Sequence, residues 1–160
     1  MSKTIKQPIG SKLCGPACVA MICDYDFDTL FTKLAQIYVK HVGKTISEHM
    51  ELDVPYLSRL TEIAGFLAYH DIMLGVSALA INADTGGRLC LCDANEITIM
   101  VNRECPALVG VDSENYPNTL HWVYWDGEFI RDPNPNVPDT RCLSDFCGKI
   151  YDWYPIIRLI

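Results

Sequence analysis

Apolar residues recur along this chain at two spacings, and the change between them falls near residue 105. Before it the spacing is helical. Residues 1–13 read as an extended arm, and a helix opens at Cys14-Gly15-Pro16 and continues through Ala17–Ile22, with Pro16 in the first turn, where its missing N–H is not needed. A second helix is expected over about 28–40, with Leu30, Leu34, Ile37 and Tyr38 on one stripe. A third is expected from Pro55 to Tyr69, with Leu57, Leu60, Ala64 and Leu67 at helical spacing. Thr85-Gly86-Gly87 marks a turn before a short strand at Arg88–Cys92, and Asp93 with Glu96 suggests a capped helix running to about Arg103.

Beyond residue 105 the pattern becomes that of strands. Ala107–Asp112 reads as a buried strand. His121–Trp125 and Glu128–Asp132 read as a hairpin closed by Asp126-Gly127, a strong two-residue turn signal. Pro133-Asn134-Pro135-Asn136 ends the second arm, a short helix is expected near Leu143–Cys147, and a last strand at Pro155–Ile160. Helices first and strands afterwards predict an α+β fold in one domain, helical over about 14–104 and sheet over about 105–160.

Composition changes this picture little. At 160 residues, 49% hydrophobic and 21% charged, the chain suits one ordinary globular domain. A formal net charge of −7 argues against nucleic-acid binding, which needs a basic face. No apolar run approaches a membrane span, and the basic start MSKTIKQPIGSKL lacks an apolar core, so no membrane association and no secretory signal are expected, and a cytoplasmic protein is. The eight cysteines are then expected to be reduced. Their CxC (Cys90, Cys92) and Cx4C (Cys142, Cys147) spacings do not match paired CxxC zinc modules, so no metal is expected.

Cys14 stands out because it starts a helix. Free N–H groups and the helix dipole there stabilise a thiolate, the reactive form of cysteine. The same position also suits a small buried residue. Cys18 and Cys23 lie deeper in the helix and read as packing. A nucleophilic thiol needs a base, and the base an orienting group. With a two-residue turn at Asp126-Gly127, Trp125 pairs with Glu128, Tyr124 with Phe129, Val123 with Ile130, Trp122 with Arg131 and His121 with Asp132. Directly opposed residues share a face, so this register sets a carboxylate beside an imidazole, as it also would in a plain solvated pair. On the same reading His121, Val123 and Trp125 face Cys14, and Trp122 and Tyr124 face away. His41, His49 and His70 have no aligned acid.

Together these stretches resemble the papain-like cysteine peptidases, most of all the bacteriocin-processing peptidases that cut double-glycine leader peptides. The likeness rests on Gln7-Pro8-Ile9-Gly10-Ser11-Lys12-Leu13-Cys14-Gly15-Pro16-Ala17, on Cys105-Pro106-Ala107-Leu108-Val109, on His121-Trp122-Val123, and on Asp132-Pro133, in that order. It covers the chain in outline, although residues 24–90 carry no such motif. The resemblance implies a papain-like fold, Cys14, His121 and Asp132 as a catalytic triad, Gln7 as an oxyanion donor with the Cys14 backbone N–H, a peptide or protein substrate, and no cofactor. Gln7 lies seven residues before Cys14, one more than the family pattern, and the connection from His121 to Asp132 is shorter than usual. The same Cys, His, Asp order is similar to transglutaminase-like proteins, so acyl transfer or glutamine deamidation stays open beside hydrolysis, as does a catalytically inactive binding module.

Overall fold

Helix α1, Cys14–Cys23, buries every residue from Gly15 to Ile22. A helix apolar all round belongs inside the molecule, not on its surface. It stops at Asp24, whose left-handed backbone (φ 58°) turns its N–H back onto the Ala20 and Met21 carbonyls. Arg158 covers the same end, donating from Nη2 to the Ile22 carbonyl at 2.7 Å. Helix α2, Phe27–Val42, is capped by Asp26, whose Oδ1 accepts the Thr29 N–H at 2.7 Å. Helix α3 spans Leu60–Ala68. The computed structural model describes residues 3–42, 57, 59–75, 103–117, 119–146 and 148–159, and of residues 35–42 the backbone only. The strand expected at Arg88–Cys92, the turn before it and the helix expected from Asp93 lie outside the described residues, as does His49.

The third helix is shorter than its apolar spacing suggests. Leu57 is buried but left-handed (φ 57°), which no helix interior accommodates, and its N–H donates to Glu62 Oε2 at 3.0 Å. Arg59 is extended, so the helix opens at Leu60, and its buried stripe is Ile63, Phe66 and Leu67.

Among the described residues, six antiparallel strands form one sheet: β1 (Ile72–Leu74), β2 (Ala107–Asp112), β3 (Leu120–Trp125), β4 (Ile130–Arg131), β5 (Thr140–Arg141) and β6 (Ile150–Arg158). They lie in the order β1-β6-β2-β3-β4-β5. The chain is α+β, as its pattern of elements predicts. Ala107–Asp112 forms where expected, whereas β6 begins at Ile150, well before Pro155, β1 and β5 add two strands the sequence did not signal, and the short helix is a single 3₁₀ turn, Leu143–Phe146.

The sheet separates two cores. Leu108, Trp122, Tyr124 and Ile156 pack with α1, α2 and α3 on one face. Ala107, Val109, Val111, Val123, Trp125, Ile130 and Trp153 form the second core, closed by Leu143 and Phe146 of the 3₁₀ turn. The period-two alternation of β2 and β3 thus feeds both sides, which is why these strands read as continuous apolar runs.

The hairpin register corrects the sequence reading. Tyr124 pairs with Arg131 and Trp125 with Ile130, so the loop holds four residues, 126–129, and His121 is not directly opposite Asp132. A two-residue type I′ turn needs positive φ at both central residues, and only Gly127 (φ 100°) has it. Asp126 instead folds the loop around its carboxylate: Oδ1 accepts the N–H groups of Glu128 (2.8 Å) and Phe129 (2.7 Å), and Oδ2 accepts Arg131 Nε (2.7 Å). Gly127 is also required by space, because a Cβ there would stand 3.1 Å from the Glu104 carbonyl oxygen.

Candidate active site

Since β4 pairs only with Tyr124 and Trp125, the edge of β3 beyond Tyr124 has no β4 partner. The N-terminus of α1 meets that edge. The Cys14 thiol accepts from the backbone N–H groups of Trp122 and of its own neighbour Gly15, and it shares a side-chain hydrogen bond with His121. Leu13, at the helix start, supplies no side-chain cap, which leaves the dipole end to the thiol. By register His121 shares a side with Val123 and Trp125, as expected, but that side carries the second core, while α1 packs against Trp122 and Tyr124. The imidazole therefore meets Cys14 at the uncovered edge of β3 and not across a face of the sheet.

His121 Nε2 lies 2.7 Å from Asp132 Oδ1, which leaves Nδ1 as the nitrogen for Cys14. Asp132, just past the end of β4, is almost fully buried, and both its carboxylate oxygens are bonded: Oδ1 also accepts the Asn134 N–H at 2.9 Å, and Oδ2 accepts Arg141 Nη1 at 3.0 Å. Burial pushes the Asp132 carboxyl up, but the His121 hydrogen bond and charge, the Asn134 N–H and Arg141 outweigh it and hold the group below the usual carboxylate range. Burial likewise pushes the His121 imidazole down, but its bonds to Asp132 and Cys14 raise it to about 9. Burial alone would raise the Cys14 thiol, yet His121 and the two backbone N–H groups bring it below the ordinary thiol value. These directions favour one state, a thiolate beside an imidazolium whose charge is matched by Asp132.

Gln7 enters from the N-terminal arm. Its backbone N–H donates to the Pro133 carbonyl at 2.8 Å, directly after Asp132. Its side-chain Nε2 donates to the Ser11 carbonyl at 2.7 Å, across a turn in which Gly10 takes a positive φ of 76°. Because a carbonyl must be met by the NH₂ side, the orientation of the amide is determined, and Oε1 is buried with no hydrogen-bond partner among the described residues. Gln7, Cys14 and His121 line one cleft of about 430 Å³, with Trp122, Asn115 and Tyr116 among its walls. The extra residue between Gln7 and Cys14 thus does not keep Gln7 out of the cleft.

Comparison of the chain with protein-family models, with curated proteins and with solved structures gave no match.

Two contributors to this site carry no signal in the sequence. Arg141 reaches Asp132 only because β5 pairs with β4, placing Arg141 beside Ile130. Lys6 ties the arm down: its Nζ donates to the carbonyls of Asp132 (2.9 Å), Asn134 (3.0 Å), Val137 (2.8 Å) and Pro138 (3.0 Å). Strand β5 and the loop after Asp132 arise from short polar segments with no apolar periodicity. Of the other histidines, His70 is the one with a described side chain. His70 packs against Tyr25 and Phe66, and the side chain of His41 and all of His49 lie outside the described residues. Cys18 is fully buried and its thiol is pushed well up, and burial takes Cys23 up to about 11. The five described cysteines form no disulfide with one another. Among the described residues, no group of three or more His, Cys, Asp and Glu side chains is placed to hold a metal ion, and no helix is long and apolar enough to cross a membrane.

Proposed function

We propose that this chain is a cysteine-dependent hydrolase of papain-like fold that cleaves an amide bond in a peptide or protein. The observation that carries the reading is the continuous contact from Cys14 through His121 to Asp132, with the thiol lowered and the imidazole raised to about 9. The order of these residues along the chain agrees with the resemblance drawn from the sequence.

In the reaction the Cys14 thiolate attacks the substrate carbonyl carbon, and the carbonyl π electrons move onto oxygen. The Gln7 amide, one N–H of which is held by Ser11, and the Cys14 backbone N–H face the negative charge that develops there. As the oxyanion collapses, the carbon–nitrogen bond breaks, and the leaving amine takes the proton from the His121 imidazolium. A thioester remains on Cys14. Neutral His121 then removes a proton from water, whose oxygen attacks the thioester, and collapse of this second intermediate frees the carboxylic acid and restores the thiolate–imidazolium pair. Asp132 holds the ring orientation throughout and balances the imidazolium. An amine in place of water gives transamidation through the same thioester.

Profiling with a thiol-directed electrophile, followed by a peptide-library screen with mass detection of products, tests the reading. Labelling of Cys14, and cleavage lost in Cys14→Ala, support it. A product carrying an added amine moves the reading to acyl transfer. Neither labelling nor turnover moves it to a binding module.

A further inference from the structure

The Asp132 carboxylate does not belong to His121 alone. Its Oδ2 accepts Arg141 Nη1 at 3.0 Å, and the same nitrogen donates to Glu114 Oε1 at 2.8 Å. The guanidinium is held from a third side, with Cζ 4.6 Å from the centre of the Phe146 ring. Asp132 and Arg141 side chains are only 2% and 14% exposed, so their charges act through a poorly screening medium. The result is a row of alternating charges: Cys14, His121, Asp132, Arg141, Glu114.

We propose that Arg141 and Glu114 are positioning residues that set the proton affinity of His121 through Asp132, Arg141 weakening the hold of the carboxylate on the imidazolium and Glu114 partly restoring it. A carboxylate shared with a cation stabilises an imidazolium less than an unshared one does. Neutralising Glu114 leaves the whole Arg141 charge directed at Asp132. The need is chemical. A general acid works best when its pKa lies near the working pH, and His121, already at about 9, would hold its proton too tightly against an unshared carboxylate. The other charges near Asp132 do not change between variants. Lys6 donates to its backbone carbonyl and is itself matched by Asp139 at 3.8 Å, and Cys14 and Cys18 approach from α1. The use of this tuning in turnover rests on the hydrolase reading, whereas the tuning itself does not.

The test is a histidine-selective ¹³C NMR titration of the full chain, with the His121 resonance identified by its loss in His121→Asn. Arg141→Gln is expected to move the His121 midpoint up by roughly 0.5–1 pH unit, Glu114→Gln to move it down by a similar amount, and Arg141→Lys to stay near the parent. The alkaline limb of kcat/KM on a cleaved peptide follows each midpoint. A role in folding alone predicts lowered melting temperatures with midpoints unmoved, and that result overturns the proposal, as does movement of both glutamine variants in one direction. Should Arg141→Gln fail to fold, Glu114→Gln keeps the arginine and by itself decides the sign. Shifted midpoints in a protein without turnover retain the tuning and reject the hydrolase. Turnover with unmoved midpoints does the reverse.

Discussion

Burial by itself would make Cys14 a poor thiolate, as it does Cys18 one helical turn further in. The difference lies in what each thiol touches: His121 and the Trp122 and Gly15 N–H groups at Cys14, and a wall of apolar side chains at Cys18. Brief treatment with iodoacetamide near neutral pH should therefore alkylate Cys14 first, ahead even of the more exposed Cys142, and leave Cys18 untouched, as peptide mapping would read out. Faster labelling at Cys142 would refute the activation of Cys14. Asp132 carries more than orientation. Asp132→Asn keeps the shape but removes the charge and replaces one acceptor oxygen with an NH₂ donor, so His121 loses its counter-ion and Arg141 one of two. Turnover should fall by up to about 10⁴-fold. The stability cost, on the order of 1.5–3 kcal/mol by denaturant titration, is larger than an exposed His–Asp pair would suggest, because a bond to a charged group is lost in a buried place.

At the level of elements, the arm of residues 3–13 and the loop 132–139 behave as one unit. Lys6 bonds four loop carbonyls, Thr4 Oγ1 donates to the Asp139 carbonyl at 2.8 Å, and Arg131 Nη1 donates to Thr4 Oγ1 at 3.2 Å. Lys6→Met keeps the length of the side chain and removes every one of its donors. It should raise hydrogen exchange at the Gln7 amide, which donates to Pro133, and lower kcat by an amount approaching the roughly 10²–10³-fold expected of Gln7→Ala. Unchanged exchange at Gln7 would show that Lys6 does not hold the arm. How far such elements can be read from sequence depends on whether periodicity or loop chemistry decides them. The apolar run Ala107–Val111 and the helix start at Cys14 were legible because burial and Pro16 determine them. The hairpin turn is legible in place but not in length, because Asp-Gly signals a two-residue turn whereas Asp126 draws Glu128, Phe129 and Arg131 onto its carboxylate. His121 and Asp132 meet all the same, since Asp132 lies past the paired residues and is free of their register. Arg141 and Lys6 were illegible, being joined to the site by tertiary pairing alone.

Across the whole molecule, the site lies where one helix end, one strand edge and one strapped loop converge, so its ionisation is linked to folding. His121 has its proton affinity raised by folding, so its contribution is complete below the unfolded value near 6.5 and disappears as pH rises through about 9. Asp132 is lowered, so its contribution is present above the unfolded value of 3.8 and lost as pH falls below it. Cys14 has the opposite sign: its thiol is lowered, so it adds stability as pH rises toward the unfolded value of 9.0 and offsets the His121 loss. The melting temperature should therefore fall below about pH 4 and hold from about pH 5 to 8, and Cys14→Ala should leave His121 alone to drive an alkaline decline. A parent melting temperature that falls between about pH 7 and 8 as steeply as that of Cys14→Ala would contradict the linkage. The span of chain between partners has one more consequence. Lys6 and the Asp132 carbonyl are 126 positions apart, and Arg131 and Thr4 are 127 apart. During synthesis Cys14 leaves the ribosome long before His121, Asp132 and Arg141 are made, and contacts this distant in sequence close late and slowly. The nascent chain therefore carries an ordinary, protonated thiol at Cys14, and the proposed nucleophile forms only once His121 and Asp132 have been added and have folded against it.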